Sequence, residues 1–131
     1  MAQMNRQWRL KRHLASGEVP SREVFTFGEG SIPEIAPGQI LVRTLVIGTS
    51  PAQRSYISLD RSMHTKVQVG DVMRGRSIAE VVASRHEAFA VGEIVSASSG
   101  WQEYAALTPN PIPGGIFDVL KIRRDRKSTR L

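Results

Sequence analysis

Apolar and polar residues alternate over Gln7-Trp8-Arg9-Leu10 and again over Glu23-Val24-Phe25-Thr26-Phe27, the period of two that half-buried strands require. Between them Gly17 and Pro20 interrupt any regular element. The stretch 31–38 carries two prolines and a Pro-Gly pair, so it reads as a connector. Residues 39–48 (QILVRTLVIG) are dense in β-branched side chains and bounded by glycine, which predicts a long, largely buried strand. At Ser50-Pro51 the pattern changes. A serine able to cap, then proline at the first helical position, predicts one or two helical turns. After a loop through His64, residues 67–71 lead into Val72-Met73-Arg74-Gly75-Arg76 and a strand run at 77–84. A tight turn at 89–93 delivers a strand at 94–97, and 100–107 alternates once more. Many short strands with Gly/Pro punctuation and almost no helical period describe a mainly β, antiparallel, barrel-like domain with one or two short helices.

With 131 residues, 40% of them apolar, the chain has the size of one globular domain. Apolar runs such as Leu45-Val46-Ile47 are far shorter than the ~20 residues of a membrane span, and the first residues lack the apolar core of a signal peptide. A cytoplasmic protein without a membrane partner is the expectation. The absence of cysteine excludes disulfides, thiolate nucleophiles and thiolate metal sites. His13, His64 and His86 are not spaced as ligands and read as surface histidines, so no metal site is expected.

The formal charge of +6 would by itself suggest a polyanion. Its distribution argues otherwise. Arg6, Arg9, Lys11 and Arg12 cluster at the start, Lys121, Arg123, Arg124, Arg126, Lys127 and Arg130 at the end, and no basic stripe with interleaved aromatics lies between. No nucleic-acid partner is expected. Residues 125–131 (DRKSTRL) have no hydrophobic period, and one choice of codons for them spells a run of a widely used short-read sequencing adapter. The expectation is a native domain at 1–124 followed by a non-native tail at 125–131. The tail's Arg126, Lys127 and Arg130 against Asp125 account for +2 of the +6.

The order of the motifs carries a resemblance: Asn5-Arg6-Gln7-Trp8, 37–45 (PGQILVRTL), Ser50-Pro51-Ala52-Gln53-Arg54, 70–75 (GDVMRG), 81–84 (VVAS), 89–93 (FAVGE) and 100–104 (GWQEY). Together they resemble the N-terminal GroES-like domain of zinc-independent medium-chain dehydrogenases/reductases, in particular the alkenal/prostaglandin reductases and their bacterial NADP-dependent relatives. The resemblance implies a partly open β-barrel forming one wall of a cleft, with a following doubly wound domain that binds NADP. It implies hydride transfer to a C=C bond conjugated to a carbonyl, an enone or alkenal substrate, no zinc and a homodimeric parent. The glycine fingerprint of a dinucleotide-binding turn is missing from this sequence, and Pro113-Gly114-Gly115 lacks the strand and helix that would frame one. The expectation is therefore a fragment without its cofactor domain, inactive alone, with an apolar face bared near Pro51, Met73 and Trp101.

With no cysteine to hold zinc, a substrate carbonyl would be polarised by hydrogen-bond donors. Tyr56 is the candidate catalytic donor, since it follows the segment that in this family faces the cleft. Ser50, Pro51, Ala52, Tyr56 and Met73 are the candidate substrate contacts. Met73 and Gly75 are placed beside the nicotinamide, Gly75 for close backbone approach. The family often has an acidic residue where Ser50 stands and an aromatic where Ala52 stands, which bears on substrate preference. Arg54 is expected to anchor the helix, and Trp101 and Tyr104 to pack. A reading from another class keeps the chain as a self-standing β-barrel interaction module that binds an acidic partner through its basic ends.

Overall fold

The computed structural model describes residues 4–60, 65–112 and 116–122. His64, Pro113-Gly114-Gly115 and the tail at 125–131 lie outside the described residues. The chain forms β1 (Met4–Leu10), a 3-10 turn at Arg22–Val24, β2 (Phe25–Ser31), β3 (Ile40–Ile47), helix α1 (Ala52–Ile57), β4 (Ser77–Ser84), β5 (Ile94–Ala97), β6 (Tyr104–Leu107), β7 (Pro111–Ile112), β8 (Ile116–Phe117) and β9 (Leu120–Lys121). A five-stranded antiparallel sheet runs in the order β6-β3-β4-β5-β9, flanked by the hairpins β1-β2 and β7-β8. The result is the mainly β architecture with one short α-helix that the residue pattern predicts.

Strand β1 links the first hairpin to the rest. Its Trp8 N–H donates to the Trp101 carbonyl at 2.9 Å, its Trp8 carbonyl accepts from Met73 N–H at 2.9 Å, and Glu103 N–H donates to Arg6 O at 3.1 Å. These bonds curl the two sheets toward each other without a continuous ladder, which leaves the barrel partly open. Two apolar clusters fill it. Ile40, Val42, Ala79, Val81, Phe89, Val95, Ala97, Ala105 and Val119 pack along the large sheet. Leu10, Leu14, Val24, Ile57, Val67 and Met73 pack beneath α1. Each fully buried Ile, Val or Leu here contributes about 1.5–3 kcal/mol through removal from water.

Three sequence expectations need correction. The alternation in β1 predicts Trp8 and Leu10 facing inward, yet Asn5, Gln7 and Leu10 are the buried positions. The phase slips between Gln7 and Leu10, and Trp8 stays half-buried with its ring 4.8 Å from Phe27. Strand β3 is buried only in its first half. Ile40 and Val42 are inaccessible, whereas Leu45, Val46 and Ile47 are 45%, 61% and 40% exposed. The register against β4 shifts between Thr44 and Val46, and such a bulge re-aims the side chains that follow. Finally, residues 22–24 form a 3-10 turn in place of the start of a strand, with Ser21 Oγ accepting from Glu23 N–H. The turn predicted at 89–93 is present, with Gly92 at φ 95°, a conformation that a side chain disfavours.

An ion pair closes β1 onto the segment before β6. Arg6 Nε and Nη2 donate to Glu103 Oε1 and Oε2, both at 2.9 Å, and Arg6 N–H adds a third bond to Oε1. The Arg6 side-chain and backbone donors bring the Glu103 carboxyl down to about 2 from the usual 4.5. A depressed carboxylate contributes stability above its unfolded pKa and loses it as pH falls through the folded value. Glu103→Gln should therefore melt below the parent at neutral pH, by the equivalent of about 0.5–1 kcal/mol given its partial exposure. The gap should close between about pH 4.5 and about pH 2. Thermal melts of both proteins across that range are the check, and a gap independent of pH would contradict the assignment.

Candidate functional site

Where β3 ends, Gly48 N–H donates to the Arg76 carbonyl at 2.8 Å, bringing the start of the α1 loop against the segment before β4. A Cβ at Gly48 would stand 3.2 Å from that carbonyl, so glycine suits the approach. The loop is then held from within. Gln53, 9% exposed, accepts from Ser50 N–H through Oε1 at 3.0 Å and donates from Nε2 to the Gly48 carbonyl at 3.2 Å. This departs from the expected capping. Pro51 already has helical dihedrals (φ −59°, ψ −26°) with no side-chain cap, and the Gln53 amide satisfies Ser50 N–H in place of a Ser50 hydroxyl capping the helix. Gln53 was singled out only as part of a motif. A glutamine three residues after a loop serine is the signal that could have found it.

Gly75 lies under this clasp. A Cβ built there would meet Gln53 Nε2 at 2.6 Å and Trp101 Nε1 at 3.1 Å, so the close approach that Gly75 permits is to these two side chains. Trp101 arrives through Gly100, whose φ of 77° turns the chain, and Trp101 N–H donates to the Met73 carbonyl at 2.9 Å. Its indole Nε1 is buried and has no hydrogen-bond partner among the described residues.

Beside the clasp runs a groove of about 300 Å3, lined among others by Ser50, Gln53, Tyr56, Arg74, Gly75 and Arg76. It brings together three of the candidate residues: Ser50, Tyr56 and Gly75. Pro51 is exposed and Ala52 half-buried on α1, and neither lines the groove. Met73, expected on a pocket wall, is 1% exposed and sits in the core beneath α1 with Leu10, Val24 and Ile57. Tyr56 both packs against that core and lines the groove, its ring 4.2 Å beneath the Arg74 guanidinium. Arg54 is the anchor that it was expected to be: Nη1 donates to Asp60 Oδ2 at 3.2 Å and Nη2 to the Glu18 carbonyl at 3.1 Å. Hydrogen bonds from Ser16, Ser58 and Arg54 hold the Asp60 carboxyl below its usual range.

The exposed apolar strip lies on the second half of β3 and not at Pro51 and Met73 as expected; of the three positions named for it, Trp101 borders it. Leu45 and Ile47 share a second groove, of about 380 Å3, with Phe27, Trp8 and Trp101. In the N-terminal basic cluster Arg6 and Arg12 are paired with Glu103 and Glu18. Among the described residues no three His, Asp or Glu side chains come together as metal ligands, and no helix is long and apolar enough to cross a membrane.

Comparison with known proteins gives this geometry a family. Residues 6–112 match the profile described as the N-terminal domain of oxidoreductase. The NADPH-dependent curcumin reductase of Escherichia coli is 34% identical over 102 residues, 78% of this chain and 29% of that protein. Prostaglandin reductase 1 of Bos taurus is 30% identical over 100 residues, 76% of this chain and 28% of that protein. The crystal structure of CurA from Vibrio vulnificus superposes with a TM-score of 0.76 at 32% identity, covering 86% of this chain and 32% of that one. Its complex with NADPH gives 0.74. The chain thus spans about three-tenths of the length of the relatives it matches. It belongs to the N-terminal, GroES-like domain family of the medium-chain oxidoreductases, in the branch of the curcumin and prostaglandin NADPH reductases.

Proposed function

We propose that this chain is the substrate-side barrel of an NADPH-dependent reductase that saturates the C=C bond of enones or alkenals, completed by a separate cofactor domain. The observation that carries the reading is the groove joining Ser50, Tyr56 and Gly75, in a chain related to reductases named for curcumin and prostaglandin. The groove lining fits one flank of the cofactor, because it offers N–H and O–H donors and no carboxylate to repel phosphate. NADPH supplies the hydride. What the barrel would supply is position: on this reading the Tyr56 phenol donates to a substrate carbonyl as charge moves onto oxygen. The reading is supported by Tyr56 lining the groove and by the Gln53 clasp that holds the Ser50–Tyr56 segment. The apolar strip at Leu45, Val46 and Ile47 suits a docking surface for the cofactor domain.

The same proposal takes residues 1–124 as native barrel and 125–131 as adapter-encoded, and places the protein in the cytoplasm as a homodimer that uses no zinc. The barrel alone would then be inactive. Recovering the parent gene and expressing its product tests the reading. Absorbance of NADPH should fall with a panel of enones and stay level with the matching saturated ketones, and a panel that leaves it level throughout would overturn the reaction class.

A further inference from the structure

Arg74 and Arg76 flank Gly75 and line the same groove, and among the residues lining it there is no aspartate or glutamate. Both guanidiniums are held in place, and among the described residues the groups that hold them are neutral. Arg74 Nη2 donates to the Thr65 carbonyl, and the guanidinium lies over the Tyr56 ring. Arg76 Nε donates to Ser96 Oγ at 3.2 Å, and its Nη2 to the carbonyls of Ser96 and Asp118 at 3.3 and 3.4 Å. The ion pairs among the described residues are Arg6–Glu103, Arg12–Glu18, Arg54–Asp60 and Lys121–Glu93, and neither groove arginine takes part in one. Each guanidinium has five N–H donors; the bonds named here engage one of Arg74's and up to three of Arg76's, so both keep donors for a ligand. Two cationic side chains on a groove whose lining holds no carboxylate give it a positive potential that an anion would neutralise. Their prior ordering lowers the entropic cost of binding one.

We infer that this groove is an anion subsite, in which Arg74 and Arg76 take the oxygens of a carboxylate or phosphate group and thereby select a charged ligand over a neutral one of the same shape. The inference rests on the proposed function only in naming the sources of that group, a carboxylate-bearing substrate or a phosphate of the cofactor. The subsite itself is a property of this chain. Charge-assisted, two-pronged recognition of this kind is the use to which arginine is best suited.

The test is equilibrium binding to the full chain, followed by backbone and arginine side-chain NMR at constant ionic strength set with chloride. The probes are inorganic phosphate, NADP+, octanoate and the neutral octanamide. Phosphate or octanoate should shift the signals of residues 48–53 and 74–76 saturably, and octanamide should not. Arg76→Gln, at an exposed position, should weaken the anion about fivefold or more, and Arg74→Gln likewise, while Arg76→Lys recovers part of the loss. Tighter binding of octanoate assigns the subsite to a substrate carboxylate, and tighter binding of phosphate and NADP+ assigns it to the cofactor. Shifts equal for octanamide, shifts unchanged in Arg76→Gln, or none beyond the chloride control would overturn the subsite. Because no turnover is measured, a parent enzyme that reduces no enone would remove the proposed reaction and leave this result standing.

Discussion

Asn5→Ala is expected to destabilise the chain by about 3 kcal/mol, a fall of roughly 10–15 °C in melting temperature for a domain of this size. Asn5 is 1% exposed and is bound on both sides of its amide. Its Nδ2 donates to the Tyr104 carbonyl at 3.0 Å and to Gln102 Oε1 at 3.1 Å, while its Oδ1 accepts from Tyr104 N–H at 2.9 Å. The side chain thus stands in for a strand, satisfying the start of β6 across a gap that no ladder spans. Gln7 Nε2 donates to the same Gln102 Oε1 at 2.9 Å, and Gln102 Nε2 reaches the Ser99 carbonyl at 3.0 Å, so the amides form one network. Truncation strands a backbone donor, a backbone acceptor and part of this network, each costing about 1–3 kcal/mol when water cannot replace the lost partner. Urea unfolding of Asn5→Ala, Gln102→Ala and the double variant measures it. The double loss should be smaller than the sum of the singles, since both remove one shared bond, and a loss under about 1 kcal/mol for Asn5→Ala would show that water repairs the gap.

That network marks a limit of pattern reading. Strands β3 and β4 were legible as runs rich in β-branched and small apolar residues, and the turn before β5 because glycine at 92 suits the positive φ that such a turn needs. Asn5 and Gln7 were not, because a polar residue facing inward has the same letter as one facing water. Only the position of Gln102 and Tyr104, nearly a hundred residues on, decides between them. The second half of β3 failed for the complementary reason. Leu45, Val46 and Ile47 look like core, but the register against β4 shifts at Thr44/Val46 and, among the described residues, no element covers them. Met73 was read as a wall of the site because it lies two residues from Gly75, yet its side chain is drawn into the apolar cluster of Leu10, Val24 and Ile57. The residues that line the groove on either side of Gly75 are Arg74 and Arg76, whose charge was counted in the total and given no place.

Gly75 is where stability and the proposed site meet, and Gly75→Val should damage both. Even alanine puts a Cβ 2.6 Å from Gln53 Nε2, a separation that forces the amide to move. Gln53 cannot move without giving up its bonds to Ser50 N–H and the Gly48 carbonyl, which hold the loop between β3 and α1. Alanine should therefore cost about 1–2 kcal/mol, the range for modest overpacking plus a weakened hydrogen bond. Valine adds γ-carbons beside Trp101 Nε1, already 3.1 Å from the Cβ position, and should cost about 3 kcal/mol or more. In the complete reductase proposed above, a shift of the Ser50–Tyr56 segment of about 1 Å should lower kcat/KM by about 100-fold even where the fold survives. Gln53→Ala separates the causes. It opens the space that the new Cβ needs, so Gly75→Ala in that background should cost less than Gly75→Ala alone. Denaturant melts of the four proteins read the coupling directly. If the two substitutions simply add, Gly75 is small for a reason other than the amide packed against it, and the clasp loses its role in placing Ser50 and Tyr56.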